Sequence, residues 1–333
     1  MALKIAINGF GRIGRCVARI AATRNDVEIV AINDMASMDM MIYLLKNDSV
    51  HGTFKSVIDE IDENTIKIDG HSIRIFSDRD PKNLKFADCG ADMVLECTGV
   101  FLTQTSAQVH IDNGVEKVLF SAPSKDTATD TFVMGVNEEL YAGQKIVSNA
   151  SCTTNCLGPV ARVLDDAFGI EKGLMTTIHS YTNDQNILDV KHSKDKRRAR
   201  AGAINMIPTT TGAAKAISLV MPQLKGRLHG QSVRVPTPDV SMVDLNVVVK
   251  RETTKEEVTR VFNEAADGRL QGLLLMDKEM RVSQDFVGSE YSSIVAEDLT
   301  QVIGGDMVKI MAWYDNEWGY SMRLIDMAIH ISK

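Results

Sequence analysis

The sequence predicts an α/β fold of two domains, and three observations carry this prediction. The chain has 333 residues, more than one hydrophobic core usually holds. In its first half, short apolar runs alternate with amphipathic stretches, the pattern of a parallel sheet covered on both faces. After residue 150 the strand candidates are longer and partly alternate, which indicates an α+β domain with a mixed or antiparallel sheet.

A β-α-β unit opens the chain. Residues 3–8 and Val27–Ile32 are predicted strands, and the segment between them carries apolar residues at helical spacing. The motif Gly9-x-Gly11-x-x-Gly14 falls at the first turn, and Asp34 follows the second strand. Such glycines let a pyrophosphate approach the helix N-terminus, and the carboxylate accepts from ribose hydroxyls. We therefore predict a Rossmann-type dinucleotide-binding domain, although Asp34 has the alternative role of a strand-end turn residue.

Two later strand ends carry small polar residues. Thr98 follows the run Met93–Cys97, and Ser121 follows Lys117–Phe120. Ligands of open parallel sheets bind beyond the carboxyl ends of the strands, so both residues are candidates for the cofactor cleft. Ordinary turn chemistry explains each of them equally well.

In the second half of the chain, the predicted strands are longer and are accompanied by predicted helices. A helix with a capping signature at Thr253 and Glu256 separates the later strands, and a final helix is predicted over Glu317–Ile331. The strands of this half are predicted at Gly173–His179, Ser232–Pro236, Met242–Arg251 and Met307–Tyr314.

Composition indicates a folded protein with small polar partners. The formal net charge is −7, which argues against dedicated nucleic-acid binding, because a basic footprint is expected there. Five cysteines at irregular spacing suit neither a disulfide framework nor a zinc site. The sequence has no signal region and no apolar run of about 18 residues, so we expect a cytoplasmic protein without a membrane span.

Cys152 is the candidate nucleophile. It lies in the polar nonapeptide Ser148–Cys156, after a strand-like run and before apolar residues at helical spacing. A cysteine at a helix start, with Ser151 as candidate N-cap, has its thiolate stabilised by the first-turn amides. The alternative is a cysteine that packs in the core as a small apolar residue.

His179 and Arg234 are candidate partners of this cysteine. His179 ends an apolar strand and is followed by polar residues, so its side chain can face a cleft and act as a base. From spacing alone, a strand-end histidine with a local hydrogen bond is the favoured alternative. Arg234 lies within a strand, where an arginine is usually paired or functional, and its planar fork suits phosphate.

These motifs resemble those of the phosphorylating glyceraldehyde-3-phosphate dehydrogenases, and the resemblance covers essentially the whole chain. It is carried by six stretches in one order: Ile7–Arg15, Ser148–Cys156, Thr177–Thr182, Pro208–Lys215, Arg234–Pro238 and Trp313–Glu317. The resemblance implies that NAD oxidises glyceraldehyde 3-phosphate through a hemithioacetal and a thioester on Cys152. Inorganic phosphate would accept the acyl group and give 1,3-bisphosphoglycerate.

The resemblance also implies roles for single residues, with Cys152 as nucleophile and His179 as base. At the cofactor it implies the backbone amides of Arg12 and Ile13 for the pyrophosphate, Asp34 for the adenosine ribose, Arg79 near the adenine and Asn316 for the nicotinamide carboxamide. It implies that Arg234 and Thr182 hold the substrate phosphate, and that Ser151, Thr153, Thr211 and Gly212 bind inorganic phosphate. Thr211 and Gly212 also suit a helix-capping loop. Arg197 matches a recurrent arginine of a long loop that runs between subunits near the active site.

Domain boundaries and assembly follow from the same resemblance. Residues 1–150 and 316–333 are expected to form the NAD-binding domain, because the last helix of the family returns to it. Residues 151–315 are expected to form the catalytic domain. The resemblance implies a homotetramer.

Cofactor preference and substrate leave alternatives open. Where many NAD-specific relatives carry proline after Asp189, this chain has Val190, Lys191 and His192. Basic residues there can approach a 2′-phosphate, whereas Asp34 would repel it, so we expect a preference for NAD with some NADP use. A sister enzyme acting on erythrose 4-phosphate, with water as acyl acceptor, is the nearer alternative. A non-enzymatic nucleotide-binding regulatory protein is the distant one.

Overall fold

The computed structural model describes residues 2–192 and 195–333. The chain divides into two compact units. The first contains the residues up to Phe132 together with Glu138–Ser151 and Ser321–Lys333. The second contains Val133–Asn137 and Cys152–Tyr320. Each unit has a sheet with helices against it, which confirms the predicted α/β class.

The elements of the described residues, in chain order, have the following bounds. The strands are β1 (Leu3–Asn8), β2 (Val27–Asn33), β3 (Asn47–Asp48), β4 (Gly52–Thr53), β5 (Ile58–Asp62), β6 (Thr65–Ile68), β7 (His71–Phe76), β8 (Met93–Glu96), β9 (Lys117–Phe120), β10 (Asp130–Thr131), β11 (Ile146–Ser148), β12 (Ile170–Ser180), β13 (Ile207–Thr210), β14 (Leu228–Val235), β15 (Ser241–Val249), β16 (Leu274–Asp277), β17 (Ser293–Ala296), β18 (Gln301–Ile303) and β19 (Met307–Tyr314). The α-helices are α1 (Arg12–Ala21), α2 (Met38–Lys46), α3 (Gln104–Asp112), α4 (Cys152–Phe168), α5 (Ala213–Val220), α6 (Lys255–Asp267) and α7 (Trp318–Ser332). Across these described residues, no helix combines the length and the apolar character that crossing a bilayer requires.

The sheet of the first unit is parallel at its centre. Its strand order is β10-β11-β9-β8-β1-β2-β7-β6-β5, and the pairs from β10 to β7 are parallel. The last two pairs, β7 with β6 and β6 with β5, are antiparallel. Strands β8 and β1 are buried almost throughout, so the continuous apolar runs of the sequence reflect a sheet covered on both faces.

The first turn of this unit requires glycine at two positions. Gly9 has a φ of +95°, and a Cβ there would lie 2.7 Å from the backbone nitrogen of Thr98. A Cβ on Gly14 would lie 2.4 Å from the carbonyl oxygen of Gly9. Both distances are far inside van der Waals contact, so the turn, the helix α1 and the neighbouring strand end pack against bare backbone.

The sheet of the second unit is mixed, as the sequence predicts. Its order is β13-β14-β12-β15-β19-β17-β16, and β18 pairs with β19. Strands β12 and β14 are parallel, whereas β12 with β15 and β15 with β19 are antiparallel. Burial alternates along most of β15 and β19, and α4 packs against both strands. One face of the sheet is therefore covered by this helix.

The capping signature before α6 is displaced by one residue from its predicted position. The N-cap is Thr254, whose hydroxyl accepts from the backbone nitrogen of Glu257 at 3.2 Å. Thr253 is buried, and its hydroxyl donates to the Glu257 carboxylate at 2.9 Å instead. The prediction of Thr253 with Glu256 is therefore wrong, because tertiary packing turns Thr253 inward and leaves the helix end to its neighbour.

Alanine at Gly14 is expected to lower the stability of the first unit, whereas alanine at Gly11 should be tolerated much better. A Cβ at Gly14 overlaps the Gly9 carbonyl, which we expect to cost about 1–3 kcal/mol as an overpacked contact. A Cβ at Gly11 has no atom within 4 Å. Thermal unfolding of Gly14→Ala and Gly11→Ala beside the parent measures the difference, and equal melting temperatures for the two variants would contradict the close approach.

Candidate active site

A cavity of about 450 Å³ lies beyond the carboxyl ends of β1, β2 and β8 in the first unit. Its lining includes five of the predicted cofactor residues: Gly9, Gly11, Asp34, Arg79 and Thr98. The volume is within the range of small-molecule sites, and the position is the one where open parallel sheets bind ligands. The glycine motif and the later strand end at Thr98 therefore meet at one cavity.

Asp34 is held by the turn that it faces. One carboxylate oxygen accepts from the backbone nitrogen of Phe10 at 2.7 Å, and the other accepts from that of Ala36 at 2.9 Å. These bonds agree with the strand-end turn interpretation. Since each carboxylate oxygen can accept more than one hydrogen bond, the same geometry leaves capacity for a ligand hydroxyl in the cavity.

The other predicted cofactor residues of this unit lie outside that lining. Arg12 and Ile13 are the first two residues of α1, where their amides belong to the helix N-terminus, and the Arg12 guanidinium pairs with Asp48 at 2.5 Å. Ser121 follows β9, and its hydroxyl donates to the carbonyl of Glu96 at 3.0 Å. Its local bond is the turn chemistry that the sequence left open.

Sequence reasoning missed a buried polar ladder beside the cavity. Asn8, Asn33 and Glu96 are in register at the ends of adjacent strands and are nearly inaccessible to solvent. The Asn33 amide donates to the Asn8 amide oxygen at 2.8 Å, and the Asn8 amide donates to the Glu96 carboxylate at 2.7 Å. Glu96 also accepts from the backbone nitrogen and the hydroxyl of Thr98. The available signal was a polar residue at the end of each of three apolar strands.

The candidate nucleophile and base meet in the second unit. Cys152 is the first residue of α4, and its Sγ lies 3.6 Å from Nε2 of His179, near the end of β12. His179 is 4% exposed. The cysteine is thus a helix-terminal residue beside an imidazole, not a core filler, and the histidine is more than a strand-end residue with a local bond. This is the arrangement that nucleophilic catalysis by a thiol requires.

Arg234 joins this pair from the adjacent strand. It is in register with His179 across β12 and β14. The Nδ1 of His179 lies 2.8 Å from both the carbonyl oxygen of Ser180 and Nη1 of Arg234, which also donates to that carbonyl at 3.0 Å. A carbonyl only accepts, so an Nδ1–H fits it and leaves Nε2 with a lone pair toward the thiol. With the proton on Nε2 instead, Nδ1 accepts from Arg234.

Burial and Arg234 set the protonation of the two reacting groups. Burial raises the pKa of the Cys152 thiol, while Arg234 and hydrogen bonds from Thr153 act against that rise. Burial, and then Arg234, lower the pKa of His179 to about 3. The imidazole is therefore neutral at physiological pH with a free lone pair, although burial and Arg234 both disfavour the imidazolium that proton transfer would form. The backbone amides of the first turn of α4 lower the pKa of the Cys152 thiol, as the sequence predicts. Burial of the thiol raises that pKa, and the sequence did not reveal this burial.

Tyr314 organises the first turn of α4 and was not predicted. Its hydroxyl lies 2.9 Å from that of Thr153 and 2.8 Å from that of Thr177. Its ring contacts His179 edge-on, with the ring centroids 6.0 Å apart. Thr153 is predicted to bind phosphate. The tyrosine therefore contacts both a predicted phosphate-binding residue and the candidate base. A tyrosine at the end of an apolar strand carried no signal that distinguished it from core packing.

The remaining predicted phosphate residues lie on loops. Thr182 follows β12, and its backbone nitrogen donates to the side chain of Gln185 at 3.0 Å. The Thr211 hydroxyl accepts from the backbone nitrogen of Ala213 at 3.2 Å and Gly212 is the N-cap of α5, so the helix-capping interpretation describes their local geometry. Arg197 is exposed, and its backbone nitrogen donates to Asp195 at 2.8 Å. The contacts described for these residues are local and do not reach Cys152.

Two predicted residues lie next to the ends of elements: Ser151 just before α4 and Asn316 just after β19. Ser151 immediately precedes Cys152, where a helix N-cap is expected, and Ala150 before it has a φ of +57°. Asn316 follows β19 and is 6% exposed. Its amide oxygen accepts from the hydroxyls of Ser180 at 2.9 Å and Ser241 at 2.6 Å.

Comparison with known proteins identifies the relatives of both halves. Residues 3–104 match the family described as the NAD binding domain of glyceraldehyde 3-phosphate dehydrogenase, and residues 151–316 match its C-terminal domain. The chain is 50% identical over 335 positions to glyceraldehyde-3-phosphate dehydrogenase 1 of Bacillus subtilis (strain 168), covering 100% of this chain and 99% of the relative.

Two further relatives show how widely this similarity extends. The glyceraldehyde-3-phosphate dehydrogenase of Geobacillus stearothermophilus is 50% identical over 334 residues, covering 100% of this chain and 99% of its own length. The chloroplastic glyceraldehyde-3-phosphate dehydrogenase GAPB of Arabidopsis thaliana is 52% identical over 331 residues, covering 98% of this chain and 74% of its own. With both domain families matched and half of all residues shared along its full length, the chain belongs to the glyceraldehyde 3-phosphate dehydrogenase family.

Proposed function

We propose that the protein oxidises glyceraldehyde 3-phosphate to 1,3-bisphosphoglycerate with NAD as oxidant and inorganic phosphate as acyl acceptor. One observation carries this proposal: the Cys152 sulfur lies 3.6 Å from the His179 ring, with Arg234 on the other side of that ring. A thiol, a neutral base and a fixed cation are the groups that covalent oxidation of a phosphorylated aldehyde needs.

Two features of the first unit support NAD as the cofactor: its match to an NAD binding domain family and its cavity. This cavity of about 450 Å³ is lined by Gly9, Gly11 and Asp34, and no atom lies within 4 Å of the position that a Cβ on Gly11 would take, so a ligand can approach that backbone closely. In this proposal the α1 amides at Arg12 and Ile13 hold the pyrophosphate, Asp34 holds the adenosine ribose, Arg79 lies by the adenine, and Thr98 and Ser121 complete the cofactor site. NAD, when bound, supplies an acceptor for the hydride that leaves the aldehyde carbon.

The chemistry rests on Cys152 and His179. His179 Nε2 takes the thiol proton as sulfur attacks the aldehyde carbon, and it returns that proton to the aldehyde oxygen, which gives a hemithioacetal. The same nitrogen then takes the hemithioacetal hydroxyl proton as the carbon is oxidised to a thioester. Attack by inorganic phosphate on the thioester carbon releases the acyl phosphate and returns the sulfur as a thiolate. Arg234 favours the thiolate by its charge, which burial alone opposes.

Two anions need separate donors in this scheme. We assign the substrate phosphate to Arg234 and Thr182, and inorganic phosphate to Ser151, Thr153, Thr211 and Gly212. The support is chemical: Gly212 caps α5 and Cys152 begins α4, and helix N-termini bind anions. Arg197 stays assigned to the neighbourhood of the active site on the resemblance alone. Asn316 is assigned to the nicotinamide carboxamide.

The same proposal includes domain boundaries and surroundings. Residues 1–150 and 316–333 serve as the NAD-binding domain, and residues 151–315 serve as the catalytic domain. We place the enzyme in the cytoplasm, because all five cysteines are free thiols, as in a reducing compartment.

Turnover should require both phosphate and Cys152. We expect NADH to form from glyceraldehyde 3-phosphate with inorganic phosphate, and NADP to serve less efficiently. Cys152→Ser should lose about a thousandfold or more in turnover while still binding NAD, because a serine hydroxyl is a far weaker nucleophile here. Absorbance at the NADH band measures both, and Cys89→Ser, a half-buried cysteine of the first unit, is the matched control.

Other outcomes of this experiment would point to the alternatives. Phosphate-independent oxidation, and faster turnover of erythrose 4-phosphate, would move the assignment to the sister dehydrogenase. NAD binding without oxidation of either aldehyde would support a non-enzymatic role.

Arg234→Met should make Cys152 harder to ionise. The guanidinium lowers the pKa of the thiol against the effect of burial, so its removal raises that pKa further. The pH profile of Cys152 alkylation by iodoacetamide should therefore move to higher pH, with slower alkylation at neutral pH. Arg260→Met, an exposed arginine on α6, controls for a general change of charge. An unchanged profile, or one displaced to lower pH, would remove Arg234 from this role.

We also propose that the protein self-associates. The number of subunits, four, is the one that the family resemblance implies. Large apolar side chains of the second unit are strongly exposed, notably Ile187 at 82%, Leu188 at 76% and Ile204 at 80%. Such groups indicate a protein contact surface. We expect light scattering to give a tetramer, and the double substitution Ile187→Glu with Ile204→Glu to give smaller species. Val57→Glu, an exposed valine of the first unit, should leave the mass unchanged. A monomeric parent protein would contradict the proposal.

A further inference from the structure

Ser180 has every polar group engaged by residues of the candidate site. It is fully buried. Its carbonyl accepts from Arg234 and lies 2.8 Å from His179 Nδ1. Its backbone nitrogen donates to the hydroxyl of Ser241 at 3.1 Å, and its own hydroxyl donates to the amide oxygen of Asn316 at 2.9 Å. One residue thus contacts both the base and the side chain assigned to nicotinamide.

Ser241 reaches the same amide oxygen from the neighbouring strand β15. Its oxygen accepts the Ser180 amide proton, so its own hydroxyl proton is left to donate, and it does so to Asn316 at 2.6 Å. Ser241 is 1% exposed, so water does not compete for these bonds. Two buried donors therefore converge on one acceptor atom.

This convergence selects one orientation of the Asn316 amide. An amide carries an acceptor on one side and two donors on the other, and exchanging them would turn the NH₂ group toward two hydroxyls. The Ser180 and Ser241 protons would then lose their acceptor inside a buried site, which is unfavourable. Among the described residues, the Asn316 amide nitrogen donates to no protein acceptor, so its N–H groups are left for a ligand.

We propose that Ser180 and Ser241 are positioning residues, which lock the Asn316 side chain so that its amide nitrogen donates to the carboxamide oxygen of nicotinamide. The proposal rests on the assignment of Asn316 in the proposed function. It explains why the Asn316 amide presents its nitrogen, and not its oxygen, to the cofactor. Ser180 also contacts both functional side chains, because its hydroxyl donates to Asn316 and its carbonyl lies beside the His179 ring.

The matched ligands for a test are NAD and ADP-ribose, which share every group except the nicotinamide. Losing the two hydroxyl donors frees the amide to rotate, so the double variant Ser180→Ala with Ser241→Ala should bind NAD about tenfold more weakly, the scale of one or two lost hydrogen bonds. Binding of ADP-ribose should stay within about twofold. Isothermal titration calorimetry measures both without any turnover.

Ser232→Ala is the matched control. Ser232 is a buried strand serine on β14 in the same sheet, 2% exposed, and its hydroxyl does not contact Asn316. This variant should leave both affinities unchanged. If Ser180→Ala does not fold, Ser241→Cys carries the test, because it keeps the shape of the side chain and replaces the hydroxyl by a larger group that is only a weak donor.

A thermodynamic cycle separates orientation from general damage. If the serines act through Asn316, adding both serine substitutions to Asn316→Ala should weaken NAD binding no further. Equal losses for NAD and ADP-ribose, full NAD affinity in the double serine variant, or an additional loss in the Asn316→Ala background would each overturn the proposal. The affinities for NAD and ADP-ribose test the role of the two serines, whereas oxidation of glyceraldehyde 3-phosphate tests the proposed function. Failure of the oxidation would not change the affinities, so the two proposals can fail separately.

Discussion

The site depends on how the imidazole of His179 is held. One ring nitrogen lies 2.8 Å from both the Ser180 carbonyl oxygen and Arg234 Nη1 and hydrogen-bonds to one or the other according to the tautomer, while the other ring nitrogen faces the Cys152 sulfur. Burial keeps the ring neutral, and the arginine beside it both depresses the pKa of the base and favours the thiolate. The register of β12 with β14 sets this arrangement, because it places His179 and Arg234 directly opposite each other.

Local pattern predicted the fold well where burial is uniform. The strands β1, β8 and β9 were predicted within a residue or so, because both faces are covered and the apolar runs are continuous. Edge strand β5, with the sequence Ile-Asp-Glu-Ile-Asp and an exposed surface, gave no comparable signal. The cap of α6 moved by one residue because Thr253 is used in packing, which no local rule reveals.

The site was predictable only where chemistry marks a residue. Cys152, His179 and Arg234 became candidates because of their chemistry, but spacing alone favoured a strand-end role for His179, and only the resemblance assigned it as the base. The structure brings the three side chains together. Ser180, Ser241 and Tyr314 were missed, since serines and a tyrosine at strand ends resemble ordinary turn or core residues. Their importance comes from contacts with residues distant in sequence: Ser180 pairs with Ser241 and Asn316, 61 and 136 positions away, and Tyr314 pairs with Thr153 and Thr177, 161 and 137 positions away. Contacts between residues so far apart in sequence are set by tertiary structure, which local sequence preferences do not reveal.

Ala150 has a further consequence for the nucleophile segment. An alanine with a φ of +57° is strained by about 1–2 kcal/mol relative to the right-handed conformation, and it lies two residues before Cys152. Glycine would relieve this strain, but it would also widen the range of conformations open to the unfolded and folded segment. Relief of strain and the added freedom of the unfolded chain therefore act in opposite directions on stability, so glycine at this position should raise the melting temperature by less than the relieved strain alone would.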